Sequence, residues 1–272
     1  MRLLAADDPE RLRLLPEVGH ALVEAGRFDE ARTALREAVE RARAAGDRLI
    51  EAHARIAEVL LRIAADPEGS GAEARRVADE VLPLLEAAGD DVGLARAYRL
   101  RAHAAWLAAR YGEMAADAER AAEHARLAGD RGQLRAAIEL LSMAFVFGPV
   151  PAAEVRPRLA VLGDLGDLRL GGKELPLAMV GRFEEARREN DLRRARSEDL
   201  GRPAWTLGVL SRGVMELIAG QPAEAERFLR LGRDGFLAIG EKSFLSTISA
   251  YLARALCLQG RFEEAVAFVE ES

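Results

Sequence analysis

Histidine is the side chain in this sequence with the widest chemical range, because it binds metals and transfers protons. The chain has four histidines: His20, His53, His103 and His124. No two of them have the His-x-x-x-His spacing that places two metal ligands on one helix face. A zinc or catalytic site would therefore need residues brought together from separate helices. We interpret the four as helix-surface or groove residues, and we predict no metal site and no catalytic residue.

Cys257 is the single cysteine and lies in an apolar stretch, Leu252 to Leu258. We predict a small buried core residue, because a cysteine nucleophile needs a nearby base that the sequence does not show. One cysteine excludes a disulfide framework within the chain. It is typical of a reducing compartment, so we expect a cytoplasmic protein.

One glycine-rich segment, residues 166–174, has a superficial likeness to a phosphate-binding loop. A Walker A loop has four residues between its first glycine and its Gly-Lys pair, and a Ser or Thr follows. Here five residues separate Gly166 from Gly172 and Lys173, and Glu174 follows. We therefore predict no nucleotide and no cofactor, and we interpret the segment as a disrupted helix.

Internal repetition is the strongest pattern in the chain, and it predicts the elements that carry these side chains. Gly-Arg-Phe followed by two acidic residues and Ala occurs at 26–31, 181–186 and 260–265, with looser versions at 109–114 and 220–225. Ala-Gly-Asp or a variant closes each unit, and Ala31, Ala186 and Ala225 each precede a closing glycine by 15 residues. That distance is four helical turns ended by a left-handed glycine.

Composition favours an all-α protein and excludes several classes of partner. The 272 residues are rich in Ala and Arg, 50% of them are apolar, and β-branched runs are nearly absent. The net charge is −6 with both signs interleaved, so we expect no nucleic-acid partner. No apolar stretch is long enough to span a membrane, and the early acidic residues argue against a signal peptide.

The repeats predict about seven antiparallel helical hairpins in a single solenoid over residues 1–272. In the first hairpin, Gly19 allows close approach of the second helix, Ala31 and Ala38 are the small residues opposite, and Phe28 packs at the turn. The predicted helix pairs are 13–25 with 29–45, 48–63 with 72–88, 93–108 with 113–128, 133–147 with 152–162, 168–180 with 184–200, 205–219 with 223–239, and a seventh pair that starts near residue 244.

The fifth repeat, residues 163–200, is predicted to be degenerate and shortened. Its first helix contains Pro176 and a glycine pair, and its second helix has Asn190 and Arg193 where other units have apolar residues. Since Gly and Pro disfavour helix interiors, we expect this repeat to be the loosest part of the array.

The seventh repeat is predicted to be truncated, because its second helix stops at Ser272 after about two turns. The chain therefore resembles a fragment of a larger protein. Such an end exposes apolar side chains, which predicts self-association there. The side chains are Phe262, Val266 and Val269.

The spacing of small, aromatic and aliphatic residues resembles the tetratricopeptide repeat. The first unit shows the pattern best, at Leu15, Val18, Gly19, Leu22, Gly26, Phe28, Ala31, Leu35 and Ala38. A period near 40 residues resembles the repeat arm of large bacterial signalling regulators of the cyclase/ATPase or LuxR-like type. The resemblance implies a right-handed α-solenoid whose first helices line a concave groove.

Groove-facing residues of the first helices are the candidate ligand contacts. They are Arg13, His20, Glu24, Arg96, Arg99, His103, Trp106 and Arg254. Arginines give forked hydrogen bonds to carboxylates and Trp106 gives an apolar anchor, so the row favours an acidic peptide. The alternative is that these are ordinary solvated charges and that Trp106 packs between units.

These patterns predict a non-catalytic scaffold or regulatory arm that binds a peptide or protein. The alternative is an effector-sensing segment that controls an attached ATPase, nucleotide cyclase or transcriptional regulator. An enzyme is not expected.

Overall fold

The computed structural model describes residues 9–151, 154, 174–200 and 202–270. These residues form thirteen helices and no strand, so the prediction of an all-α fold is confirmed. The helices are α1 (Pro9–Glu24), α2 (Phe28–Ala45), α3 (Arg48–Ala65), α4 (Ser70–Ala88), α5 (Asp91–Leu107), α6 (Tyr111–Leu127), α7 (Arg131–Phe147), α8 (Glu174–Met179), α9 (Phe183–Leu200), α10 (Arg202–Ile218), α11 (Pro222–Ile239), α12 (Leu245–Leu258) and α13 (Phe262–Glu270).

The chain divides into two compact units, residues 1–140 and 141–272. In the first unit α1 to α6 pack in chain order, and α3 also contacts both α1 and α5. In the second unit α8 to α13 pack in chain order, and α10 also contacts both α8 and α12. Each unit is therefore a stack of helical hairpins whose first helices form a row. The prediction of one continuous solenoid stays a prediction.

The Gly-Arg-Phe motif forms the turn between the two helices of a hairpin, as the repetition predicts. Its glycine has a left-handed backbone, with φ of 71° at Gly26, and Ala109 has a φ of 54° in a looser copy. This backbone is strained for a residue with a Cβ atom. In the clear copies the arginine donates two hydrogen bonds, of 2.7 and 2.6 Å, to the glutamate three residues later. The pairs are Arg27 with Glu30, Arg182 with Glu185, and Arg261 with Glu264.

The Ala-Gly-Asp motif ends one helix and begins the next. Gly46 is left-handed, with φ of 69°, and its N–H bonds back to a carbonyl of the last turn of α2. Asp47 then caps α3, because its Oδ1 accepts a 3.0 Å hydrogen bond from the N–H of Ile50. Asp90 and Asp130 cap α5 and α7 in the same way, at 2.9 Å. The sequence reading identified the glycine and missed the capping aspartate.

Close packing within the first hairpin depends on Gly19. A Cβ atom there would lie 2.3 Å from Cδ2 of Leu35, so no larger residue fits without movement. The nearest side chain is thus Leu35, which lies between the predicted Ala31 and Ala38 in sequence. Phe28 is buried in the core formed with α3, as predicted.

Two local expectations are wrong. Cys257 is exposed, because Leu252 and Leu256 occupy the buried face of α12 and Cys257 lies off that face. The described part of helix α1 runs from Pro9, so the predicted start at Arg13 is also wrong.

The two polar residues that interrupt the apolar pattern of the fifth repeat are hydrogen-bonded. Asn190 is fully buried and its Nδ2 donates a 2.9 Å hydrogen bond to the carbonyl of Gly208. Arg193 Nη1 lies 2.7 Å from Oε1 of the buried Glu174. Among the described residues, the first helix of this repeat is the six-residue α8.

Several predictions fall on residues that the structure does not describe. Residues 163–173 of the predicted degenerate repeat, which include most of the glycine-rich segment, lie outside the described residues. The predicted helix 152–162 does too, except for Glu154. None of the described helices has the length and apolarity to cross a membrane. Phe262, Val266 and Val269 of α13 are exposed, as expected, and their role in self-association stays a prediction.

Candidate binding site on the first helices

Two helices of the first unit carry polar side chains in matching register. Each set has the i, i+3, i+7 spacing that places its members on one helix face. Helix α3 lies between the two helices and contacts both. The long arginine side chains of α5 reach across it to α1. The residues are Glu17, His20 and Glu24 on α1, and Arg96, Arg99 and His103 on α5.

Arg96 forms a forked ion pair with Glu17. Its Nη1 and Nη2 each lie 2.7 Å from one of the two Glu17 carboxylate oxygens. His53 of α3 lies beside the pair, with Nδ1 3.4 Å from Arg96 Nη1 and Nε2 2.6 Å from Oδ2 of Asp90. The hydrogen bond from Arg96 lowers the pKa of Glu17, and that from His53 lowers the pKa of Asp90. Both carboxylates are therefore ionised.

Arg99 connects Glu24 and His20. Its Nη1 donates to Oε1 of Glu24 and its Nη2 to Nε2 of His20, both at 2.8 Å. Because a guanidinium only donates hydrogen bonds, His20 Nε2 is the acceptor and the ring proton lies on Nδ1. The amide Nε2 of Gln133, on α7, lies 3.3 Å from the same imidazole nitrogen. Four residues from three helices thus form one polar network.

Burial and the arginine charges fix the protonation states. Burial, with the charge of Arg99, lowers the pKa of His20 to about 3 and of His103 to about 4, so both are neutral at pH 7. Burial alone would raise the pKa of Glu24. The charge of Arg99, with the hydrogen bond from Arg99 and the charge of Arg135, outweighs burial and lowers it to about 2. The network is thus a set of fixed charges near neutral pH.

One edge of the network is aromatic. His103 Nδ1 lies 2.9 Å from the backbone carbonyl of Arg99. The ring of Trp106 meets the His103 ring edge-on, with centroids 6.4 Å apart and planes at 80°. Trp106 is half-buried and lies one turn beyond His103 on α5. An apolar ring therefore adjoins the charged network.

The arginines are much more deeply buried than their carboxylate partners. Arg96 and Arg99 are each 5% exposed, whereas the side chains of Glu17 and Glu24 are 49% and 41% exposed. Neither Nε of Arg96 nor Nε of Arg99 has a hydrogen-bond partner among the described residues. The guanidinium groups thus lie beneath a solvent-facing layer of carboxylates and retain an unused donor each.

The structure brings six of the eight predicted groove residues together. They are His20, Glu24, Arg96, Arg99, His103 and Trp106. Arg13 is exposed on α1, and Arg254 is exposed on α12 of the second unit. Arg96 and Arg99 are buried and paired with carboxylates, so they are not ordinary solvated charges. The role of the eight residues as ligand contacts stays a prediction.

Sequence reasoning missed several members of the network. These are Glu17, His53, Asp90, Gln133 and Arg135. The sequence did contain a signal for Glu17. It precedes His20 by one helical turn, and the spacing of Glu17, His20 and Glu24 is the same as that of Arg96, Arg99 and His103. The sequence contained no such signal for His53 and Gln133, because their part in the network depends on which helices stack together.

The arrangement is suited to binding. No group of three or more His, Cys, Asp or Glu side chains with metal-site geometry occurs in the part of the chain that the structure describes. The guanidinium groups offer directional donors to carboxylates and the Trp106 ring offers apolar contact.

Comparison with known proteins shows the fold. No protein-family model matches this sequence, and no curated protein matches it. Solved structures do match. One is the crystal structure of Rap protein complexed with Competence and Sporulation Factor, with a TM-score of 0.59 and 12% identity, covering 96% of this chain and 75% of that chain. The chain therefore has a tetratricopeptide-like helical-repeat fold.

Proposed function

We propose that this chain is a non-catalytic regulatory or scaffold protein that binds a peptide or protein segment against the first helices of its first unit. The observation that carries the proposal is the buried pair Arg96 and Arg99 on that face. Removing charges from water is costly, and replacing a buried ion pair by apolar residues is often neutral or stabilising. A cluster of two buried arginines, two histidines and a glutamine is therefore more than packing requires.

The chemistry of the site favours an acidic segment with an apolar neighbour. The arginines bind carboxylates, and the Trp106 ring beside His103 would supply the apolar contact. The structurally similar Rap protein was crystallised with Competence and Sporulation Factor, which supports ligand binding on this fold. We further propose a cytoplasmic bacterial signalling role, without bond chemistry and without a nucleic-acid or membrane partner.

Selection of peptides from a displayed random library tests the proposal. Peptides selected on the wild type should lose binding to Trp106→Ala and to Arg96→Gln/Arg99→Gln. The control is Arg76→Ala, which changes an exposed arginine on α4 and leaves the site intact. Peptides that bind all these variants equally would contradict the location of the site.

The alternative, a small effector that controls an attached ATPase or cyclase, predicts a different result. A metabolite would then raise the melting temperature of the wild type but not of Arg96→Gln/Arg99→Gln, and no peptide would be selected. Nucleotide turnover by the purified chain would contradict the non-catalytic proposal.

A further inference from the structure

We propose that Glu17 and Glu24 are built-in occupants of a carboxylate site formed by Arg96 and Arg99, and that carboxylates of the partner replace them. This inference rests on the proposed function and adds how the site is regulated: α1 competes with the ligand. The exchange is a rotation of two side chains and needs no unfolding of α1.

Arg96 and Arg99 need an anionic partner whether or not a ligand is bound. A guanidinium does not lose its proton in a protein, and each of these is 5% exposed. Leaving a buried charge without a partner is strongly destabilising. Any ligand that separates Arg96 from Glu17, or Arg99 from Glu24, must therefore supply a carboxylate in return.

The positions of Glu17 and Glu24 allow their side chains to separate from the arginines. Their side chains are 49% and 41% exposed, so a rotation away from the arginines moves each carboxylate into water without displacing buried groups. Helix α1 stays anchored without them, because Leu15 is 2% exposed in the core and Gly19 packs closely on Leu35. The exchange also preserves the number of anions around the two arginines.

The glutamates leave part of the site unused. Glu17 binds Arg96 end-on, through Nη1 and Nη2, and Arg99 binds Glu24 and His20 through its two Nη atoms. Neither Nε finds an acceptor among the described residues. A ligand carboxylate that binds Arg99 side-on, through Nε and one Nη, makes two hydrogen bonds where Glu24 makes one. On Arg96 a side-on carboxylate makes two, the same number as Glu17.

Chemical rescue tests the occupant role directly. Glu17→Ala/Glu24→Ala removes both carboxylates and leaves room for a small dicarboxylate. Sodium glutarate should raise its melting temperature by about 3 °C more than sodium chloride of equal ionic strength does. Wild type and Glu37→Ala should show no such difference, because Glu37 pairs with Arg11 and Arg41 elsewhere. If the double variant does not fold, by circular dichroism, Glu24→Ala with acetate is the equivalent test.

Competition is measured with a fluorescein-labelled glutamate-rich peptide and a glutamine-substituted control peptide. The glutamate peptide should bind Glu17→Ala/Glu24→Ala about tenfold more tightly than wild type. Arg96→Gln/Arg99→Gln should not bind it. Equal affinity for wild type and the glutamate variant would overturn the proposal, as would the absence of glutarate rescue.

The two measurements separate this inference from the proposed function. Peptide binding that needs the arginines but does not strengthen in the glutamate variant leaves the proposed function intact and refutes the competition. Glutarate rescue without peptide binding to either protein supports the carboxylate exchange and refutes the proposed class of partner.

Discussion

Arg99 and Glu24 are 75 positions apart in the chain, and Arg99 Nη1 donates a 2.8 Å hydrogen bond to Glu24 Oε1. Arg27 and Glu30, within one turn of the same unit, form a contact of 2.6 Å. The second pair is 58% exposed at both side chains, whereas the Arg99 side chain is 6% exposed. Similar distances therefore join groups with very different solvation.

Loss of Glu24 should destabilise the protein more than loss of Glu30. Glu24→Ala leaves the buried Arg99 without its carboxylate, and we expect a cost of about 2 kcal/mol, below the ~3–5 kcal/mol of a fully buried pair because Glu24 is partly solvated. Glu30→Ala should cost under about 1 kcal/mol. Urea unfolding monitored by circular dichroism measures both. Equal losses of stability in the two variants would show that burial of Arg99 does not increase the cost of removing its carboxylate partner.

Ala109→Gly should stabilise the protein by about 1 kcal/mol, because the left-handed backbone at this position is strained for alanine. Gly26→Ala places the same strain in a clear copy of the motif and should lower stability by about the same amount. Thermal unfolding of both variants provides the measurement. A destabilised Ala109→Gly would mean that its methyl group makes contacts that outweigh the strain.

Histidine protonation should weaken the folded state in mild acid. The folded pKa values of His20 and His103, about 3 and about 4, lie below the ordinary value of 6.5. As the pH falls from 6.5 towards 4, the unfolded chain therefore binds protons that the folded chain does not. Stability should fall by up to ~1.4 kcal/mol per pH unit for each histidine. In His20→Gln the slope between pH 4.5 and 6 should be smaller than in wild type, and an unchanged slope would contradict the buried neutral state.

Glu241 should contribute the opposite pH dependence. Burial raises its pKa to about 6, although its carboxylate accepts hydrogen bonds from the N–H groups of Ser243 and Phe244. Between pH 4.5 and 6 the folded state holds a proton that the unfolded state releases, so stability is lost as the pH rises. The stability of Glu241→Gln relative to wild type should therefore increase across this window. Unfolding at a series of pH values, with Glu263→Gln on exposed α13 as control, tests this.

The sequence determined the hairpins, because their signals are local. Left-handed glycines end helices, aspartates begin them, and a small residue at Gly19 permits close packing whatever lies further along the chain. The groove residues were predictable in part for the same reason, since positions three and seven apart share one face of a helix. The exposure of Cys257 was missed because an apolar stretch does not by itself show which face of its helix is buried.

Only the tertiary structure decided how these side chains are used. Stacking of α1, α3 and α5 buries Arg96 and Arg99 and supplies Glu17 and Glu24 as their partners. The stacking of repeats that are distant in sequence decides which charged side chains form pairs and whether those pairs are exposed to water or buried. The residue types and their periodicity thus determined a row of candidate binding residues, and the packing of three helices buried the two arginines of that row against partly exposed carboxylates.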